Sequence, residues 1–440
     1  MMSATVQSTG TVGPQETLGD RMHALAARLY PICRSITGNG VRQSLRILSE
    51  MIPLELHEVP SGTPVFDWTV PREWNIRDAY VANARGERVI DFRRHNLHVV
   101  QYSAPVRARM TLDDLRSRLF SIPERPNAIP YRTSYYKETW GFCLTDTQLR
   151  ALQPGEYEVV IDASLTDESL TYGELFLAGE TDEEVLFHAH CCHPSLANDN
   201  LSGLVVAAFL ADALAKADRR YSYRFLFLPG TIGPITWLAR NEQRVSRIRH
   251  GLVLSGIGDA GPFTYKRSRR SDAPIDRAMQ HLLTSAAGTA QIRDFDPYGY
   301  DERQYCSPGF NLPVGCLMRT PHGTYPEYHT SDDNLDFLRR DSLEESLRLL
   351  VDLVYLLERD RRCVNLSPKG EPQLGKRGLY RSTGGTGVDA RHMALLWVLN
   401  LSDGSFSLLD IADRAHLPFR LIEEAASELE TAGLLRPGPQ

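Results

Sequence analysis

Apolar residues recur at helical spacing over residues 18–31 (Met22, Leu25, Leu29) and again over 40–52 (Val41, Leu45, Leu48, Met51). The texture then changes. From 58 to 155 apolar and polar positions alternate, as at Val89, Leu97, Val99 and Val100, and many prolines and aromatics interrupt them, which predicts a β-rich module. From 156 strand-like runs alternate with helical ones: 184–190 (EVLFHAH), a helix over 201–217, 223–228 (YRFLFL), a helix over 234–243, then 251–254 (GLVL). A last amphipathic helix covers 341–359. Strand–helix–strand at this spacing predicts βαβ units in a doubly wound, mostly parallel sheet.

Residues 365–388 are rich in Gly, Pro and Ser without periodicity and read as a linker. Beyond them lie helical segments at 390–400, 408–416 and 418–432, with an apolar step at Leu434 and Leu435 after Gly433, the outline of a winged helix. No internal repeat of 20–50 residues is visible. The organisation expected is an α/β domain split between 18–57 and 156–362, a β-rich insertion at 58–155, a linker at 363–388 and a winged-helix module at 389–440.

The 440 residues carry 49 basic and 55 acidic side chains, a net charge of −6. This balance disfavours nucleic acid or an anionic membrane as a partner. No apolar run approaches the roughly 18 residues that span a bilayer, and the first 17 residues read as a tail, not a signal peptide. Seven cysteines without a CxxC pair form no disulfide framework. A cytoplasmic location is expected.

The densest set of potential ligands is HAHCCHPSLANDNLSG, 188–203, at the carboxyl end of an expected parallel strand, where open α/β sheets bind their ligands. His190 and His193 offer imidazoles, Cys191 and Cys192 thiols, and Asp199 a carboxylate. Imidazole plus carboxylate with an open position suits catalytic zinc; capping of the next helix by Asn198 and Asp199 is the plainer alternative. A second cluster, HGTYPEYHTSDDNLD at 322–336, holds His329 with Asp332 and Asp333 close behind. It supplies a third imidazole and a carboxylate to orient that ring.

These motifs resemble those of the zinc aminopeptidase clan. More closely, the chain is similar to bacterial aminopeptidase-like proteins of the DUF4910 type, whose peptidase domain carries an inserted β domain and a C-terminal winged helix. The phrases YPICRSITG (30–38), PYRTSYYKETWGFCL (130–144), CCHPSLANDNLSG (191–203), PGTIGPITWLARNE (229–242), DERQYCSPGFNLPVG (301–315) and YPEYHTSDDN (325–334) carry the resemblance. It implies a first zinc ligand at His190, the metal-bridging carboxylate at Asp199 and the last ligand at His329. The chain departs from the peptidase pattern at three places. Gly230-Thr231 stands for a Glu-Glu pair (base, then ligand), Ser255 for a ligand Asp, and Cys192 for the Asp that orients the first His.

Two cations need more anionic ligands than remain, so one zinc is expected, held by Asp199, His329 and one of His190 or His193, with water in the fourth place. Glu327, Glu302 and Asp301 are the candidates for the missing base. Glu302 and Arg303 are also candidates to hold a substrate amine and carboxylate, and Tyr136, Trp140 and Tyr325 to line the pocket, with Tyr135 beside them.

The function expected is a zinc-dependent aminopeptidase-like hydrolase. Its substrate would be a small peptide or aminoacylated metabolite, cut at an amide next to a free amine. The alternatives are a catalytically degenerate, metal-bound protein that binds a peptide or partner, and another acyl-transfer chemistry. In the C-terminal module eight Asp/Glu face four Arg from Asp389 onward, with Glu423, Glu424, Glu428 and Glu430 on the helix that would read DNA. A protein-contact role, including homo-oligomerisation, is expected there instead.

Overall fold

A computed structural model of the chain describes residues 16–285, 289–379 and 389–439. Residues 1–15 and 380–388, most of the expected tail and the end of the expected linker, lie outside them. Eight strands form the central sheet: β1 (Glu55–Pro60), β2 (Ser169–Leu177), β3 (Glu184–His190), β4 (Ser222–Leu228), β5 (Ile248–Leu254), β6 (Thr264–Lys266), β7 (Gln291–Arg293) and β8 (Val314–Met318). Their order is β1-β2-β4-β3-β5-β8-β6-β7. The middle four, β4, β3, β5 and β8, are parallel, so their carboxyl ends share one edge. On either side the neighbouring strand, β2 or β6, joins them antiparallel.

Alternation along β3 and β4 divides the core in two. Val185, Phe187, Tyr223, Phe225 and Phe227 face one side, and Leu186, Leu226 and Leu228 the other. The first side is covered by α1 (Leu18–Leu29), α2 (Asn39–Ser49), α3 (Gly203–Ala215), α5 (Pro274–Ser285) and α6 (Arg340–Arg359), the second by α4 (Ile232–Asn241) and the insertion. Helix α3 (GLVVAAFLADALA) is apolar on every face over Gly203–Ala211, the stretch buried between the sheet and other helices, and turns polar only at Asp212. Thr17 and Asp20 close a capping box that starts α1.

The insertion is built on a four-stranded antiparallel sheet in the order Arg88–Asp91, Glu73–Ala82, Glu156–Thr166, Val106–Thr111. The strand Glu156–Thr166, which the sequence reading assigns to the α/β domain, bonds along both edges to insertion strands and not to the central sheet. A segment of the insertion reaches back over the sheet. Tyr131 N donates to His329 O (2.8 Å), and Ser331 N to Ile129 O (2.9 Å).

At the C-terminus α7 (Ala390–Leu401), α8 (Leu408–Ala415) and α9 (Phe419–Thr431) pack beside a three-stranded sheet. Its central strand, Arg362–Asn365, falls at the start of the expected linker and pairs with both Asp403–Ser407 and Leu435–Pro437. The module docks on its own α/β domain. Tyr355 Oη on α6 donates to Glu423 Oε2 on α9 (2.8 Å), His281 Nδ1 lies 2.7 Å from Asp413 Oδ1, and Arg277 pairs with Asp410. No helix among the described residues is long and apolar enough to cross a membrane.

Candidate metal centre

Strand β3 delivers His188 and His190 to one face, since residues two apart in a strand point the same way. Past the strand the chain turns through Cys191–Cys192–His193, and a buried turn at Ala197–Ser202 presents Asp199. The Asp199–Asn200 peptide is cis. On the far side, β8 leads through a loop to His329, held at a positive φ of 54° with its ring stacked on Tyr328 at 3.9 Å. Glu327 shapes this loop through its backbone, whose carbonyl accepts from the N and Oγ1 of Thr330.

Three imidazoles converge on the one carboxylate. His190 Nε2 lies 2.9 Å from Asp199 Oδ1, His193 Nδ1 3.2 Å from Oδ2, and His329 Nε2 3.0 Å from Oδ2. Tyr300 Oη donates to Oδ1 at 3.2 Å. Burial alone would raise the Asp199 carboxyl, but the charge of His193 and bonds from His190, His193 and His329 hold it well below the carboxylate range. Burial likewise disfavours charge on His193, yet Asp199 holds that imidazole well above its usual range.

Donor atoms of His190, His193 and Asp199 lie within 4.8 Å of one another, and His329 approaches the same carboxylate. Imidazole nitrogens around a dehydrated carboxylate make a donor set that fits zinc. The residues present therefore fit the metal that the motifs imply.

The surroundings of the ligands differ from expectation in one respect. Asp332 and Asp333 do not orient His329. Asp332 pairs with Arg125, whereas Asp333 is fully buried and accepts the backbone N–H groups of Asn198 (2.6 Å) and Asp199 (2.9 Å), pinning the turn that carries Asp199. His190 is oriented by Asn200. The Asn200 Oδ1 accepts from Gly203 N and Gly256 N, and its Nδ2 donates to Leu254 O, which fixes the amide. The second Nδ2 hydrogen then points at His190 Nδ1, 3.3 Å away, and leaves the ring proton on Nε2, aimed at Asp199.

Beside the centre, Cys192 Sγ accepts the N–H of Gly230 (3.2 Å). Thr231, which follows, takes a φ of 62° and donates its N–H to Asp301 Oδ1 (2.7 Å). The other oxygen, Oδ2, lies 3.4 Å from His188 Nε2, and His188 Nδ1 is hydrogen-bonded to Tyr305 Oη (3.0 Å). Burial raises the Asp301 carboxyl to about 7.

Of the three carboxylates expected near the chemistry, Asp301 alone lies beside Gly230. Glu302 is fully buried, with its carboxylate in an ion pair with Lys266 (2.6 Å). Glu327 has no described bond or ion pair from its carboxylate to the centre. Trp140 sits beneath the Arg118 guanidinium (5.0 Å), packed against the hydrophobic cluster that the insertion shares with the sheet. Tyr325 is buried against Tyr328 and Phe337. Tyr136 is 57% exposed.

Four residues in contact with the centre or with Asp301 were not singled out from the sequence. The Tyr131 ring sits 5.0 Å from both His193 and His329, Tyr300 stacks on His190 at 5.1 Å, and His188 with Tyr305 backs Asp301. The two-residue period of HAH was a signal for His188. Nothing local marked Tyr131, which belongs to the insertion.

A family model described as a domain of unknown function, DUF4910, matches residues 23–360. The chain belongs to the DUF4910 family. In this DUF4910 chain a winged helix-turn-helix model matches residues 361–437. A Clostridium acetobutylicum protein, provisionally named for polysaccharide biosynthesis and an aminopeptidase-like domain, is 52% identical over 419 residues, which are 95% of this chain and 96% of that one. A crystal structure of a provisional peptidase from Clostridium acetobutylicum is similar at a TM-score of 0.91 and 51% identity, with 95% and 96% of the two chains covered. A zinc aminopeptidase of Bacillus subtilis shares the fold at 12% identity and a TM-score of 0.57, over 77% of this chain and 95% of its own. The DUF4910 chain therefore has an aminopeptidase-like α/β fold followed by a winged helix.

Proposed function

We propose that the protein is a zinc-dependent hydrolase of the aminopeptidase type that cleaves an amide bond in a small peptide or aminoacylated metabolite. The observation that carries this reading is the convergence of His190, His193 and His329 on buried Asp199 at the carboxyl edge of the parallel strands. Asp199, His329 and one of His190 or His193 would hold one zinc. When bound there, zinc polarises a carbonyl and lowers the pKa of water towards about 7.

The chain's own residues supply the remaining chemistry. Asp301, ionised above about pH 7, accepts a proton from the attacking water at Oδ2. The Thr231 N–H holds its other oxygen, and His188, neutral because burial keeps its pKa well below the usual value, stands behind it. Asp333 keeps Asp199 in place through two backbone bonds. Tyr131, carried over the centre by the insertion, shields the His193 and His329 rings from water. The name of the Clostridium acetobutylicum relative suits a metabolite of polysaccharide synthesis as substrate. A cytoplasmic setting without nucleic-acid or membrane partners, and self-association through the C-terminal module, belong to the same reading.

Elemental analysis of the full chain, with turnover on a panel of aminoacyl amides, tests this function. Stoichiometric zinc and turnover, both lost in Asp199→Ala, are expected; protein purified without chelators that holds no metal refutes it. A second reading, a metal-bound binding protein, is favoured by Gly230 and Thr231, which replace the peptidase glutamates. Zinc without turnover of any amide would select it.

A further inference from the structure

His329 holds a backbone conformation that a side chain disfavours, with φ at 54°, and such a residue persists only where its surroundings fix it. Inside its own loop, the Glu327 carbonyl takes the N and Oγ1 of Thr330. Every described bond that the backbone of 329–331 makes outside this loop goes to the insertion. Tyr131 N donates to His329 O (2.8 Å) and Ser331 N to Ile129 O (2.9 Å), with Pro130 bridged to Thr330 between them. Ile129 N adds a bond to Ser331 Oγ (2.9 Å). The same two segments are joined by the ion pair of Arg125 with Asp332. Among the described residues it is the only ion pair between the insertion and this loop. Arg125 stands in the turn at one end of the strap, where its N–H meets Ile122 O and its carbonyl Ala128 N. At the other end the Tyr131 ring covers the His193 and His329 rings at 5.0 Å, its Oη bonded to Tyr135 Oη (2.7 Å).

We propose that Arg125 and Asp332 are positioning residues that latch the strap 125–131 over the centre, so that the aim of the His329 imidazole, and its hold on a metal, depends on the insertion. The pair touches no reacting atom and acts through the backbone. Asp332 lies three residues beyond His329, and the bonds of the strap fall on the residues between. A strap that lifts frees His329 to leave the left-handed region, which turns its ring away from Asp199. The two side chains are 27% and 39% exposed, so the latch has the strength of a partly solvated ion pair. It rests on the zinc reading of the centre and needs no particular substrate.

Release of zinc from the loaded full chain to a colorimetric chelator, well below the melting temperature, tests the latch. Arg125→Gln and Asp332→Asn should each speed release by about two- to fivefold, the scale of a half-exposed ion pair. The reversed pair, Arg125→Asp with Asp332→Arg, should restore most of that loss. Ser331→Ala strands the Ile129 N–H and should speed release at least as much. A latch that works through His329 has nothing to act on in His329→Ala, so adding Arg125→Gln there should leave release unchanged. The visible spectrum of the cobalt-loaded chain, which reports ligand geometry, should shift in both single variants and return in the reversed pair. Either single variant suffices if the other fails to fold. Wild-type release in the single variants, no recovery in the reversed pair, or an equal acceleration in the His329→Ala background overturns the proposal. So does a lower melting temperature with release and spectrum unmoved, which would leave the pair a structural contact only. A chain that takes up no zinc removes the zinc reading as well, whereas zinc held and released by the variants as by the wild type removes the latch alone.

Discussion

The carboxylate of Asp301 lies where a side chain on Gly230 would point. A Cβ built on Gly230 falls 3.9 Å from Asp301 Oδ2, 3.5 Å from Cys192 Sγ and 4.0 Å from His190 Cβ. The resemblance expects a glutamate base at 230, and here the space beside that position is served by a carboxylate from a segment 71 positions further along the chain. A neighbouring loop thus brings an acid beside a strand end that lacks one, because the edge of the sheet gathers segments that are distant in sequence.

With Asp301 as the proposed base, turnover is expected to follow its ionisation. Burial raises its carboxyl from 3.8 to about 7, so turnover should rise as pH increases through about 7, where the base ionises. Asp301→Asn should lower kcat by roughly 10²–10⁴ while bound zinc is retained. Stability moves the other way. The unfolded carboxyl ionises near 3.8 while the folded one keeps its proton to about 7, so Asp301 favours the folded state least above pH 7. The melting temperature of Asp301→Asn relative to wild type should therefore increase between pH 4 and pH 8, by several degrees as an order of magnitude, in calorimetry.

Gly230 should tolerate a methyl group, since every contact of the added Cβ is at ordinary van der Waals distance. Gly230→Ala is expected to change stability by less than about 1 kcal/mol in urea denaturation. Gly230→Glu brings a second negative charge towards Asp301, and like charges raise each other's pKa. Its pH–rate limb should move upward by about one unit.

Asn200 sets the tautomer of His190. Its fixed amide donates to His190 Nδ1 and leaves the proton on Nε2, the nitrogen that faces Asp199. Asn200→Asp would supply an acceptor for an Nδ1 proton and free Nε2 to bind, as carboxylates behind zinc-bound imidazoles do. Zinc affinity measured by competition with a chelator is expected to rise, by about tenfold or more. An unchanged affinity would show that His190 is not a ligand.

The winged helix should not bind DNA. On α9, Glu423 is tied to Tyr355, Glu430 to Arg361, and Phe419 is buried, so the helix that enters a major groove in DNA-binding relatives of the motif is docked on its own chain and acidic. Fluorescence anisotropy with a random duplex at about 0.15 M salt should show no binding by the full chain. Arg361→Ala should speed hydrogen exchange in α9 by loosening this dock.

The periodicity of apolar positions was enough to recognise the parallel strands, the helices between them and the three-helix tail, because burial on a sheet face or helix stripe leaves a local pattern. The dense polar clusters at strand ends singled out His190, His193, Asp199 and His329, four side chains that the fold brings together. Sequence alone misplaced the strand Glu156–Thr166, whose alternation fits either sheet; only pairing with Glu73–Ala82 and Val106–Thr111 assigns it. It likewise left three acids equivalent. Glu302 and Asp301 are adjacent in the chain, yet one is sealed against Lys266 and the other sits beside Gly230. Which partner a buried carboxylate meets depends on contacts between segments tens of residues apart, and those distances exist only once the chain has folded.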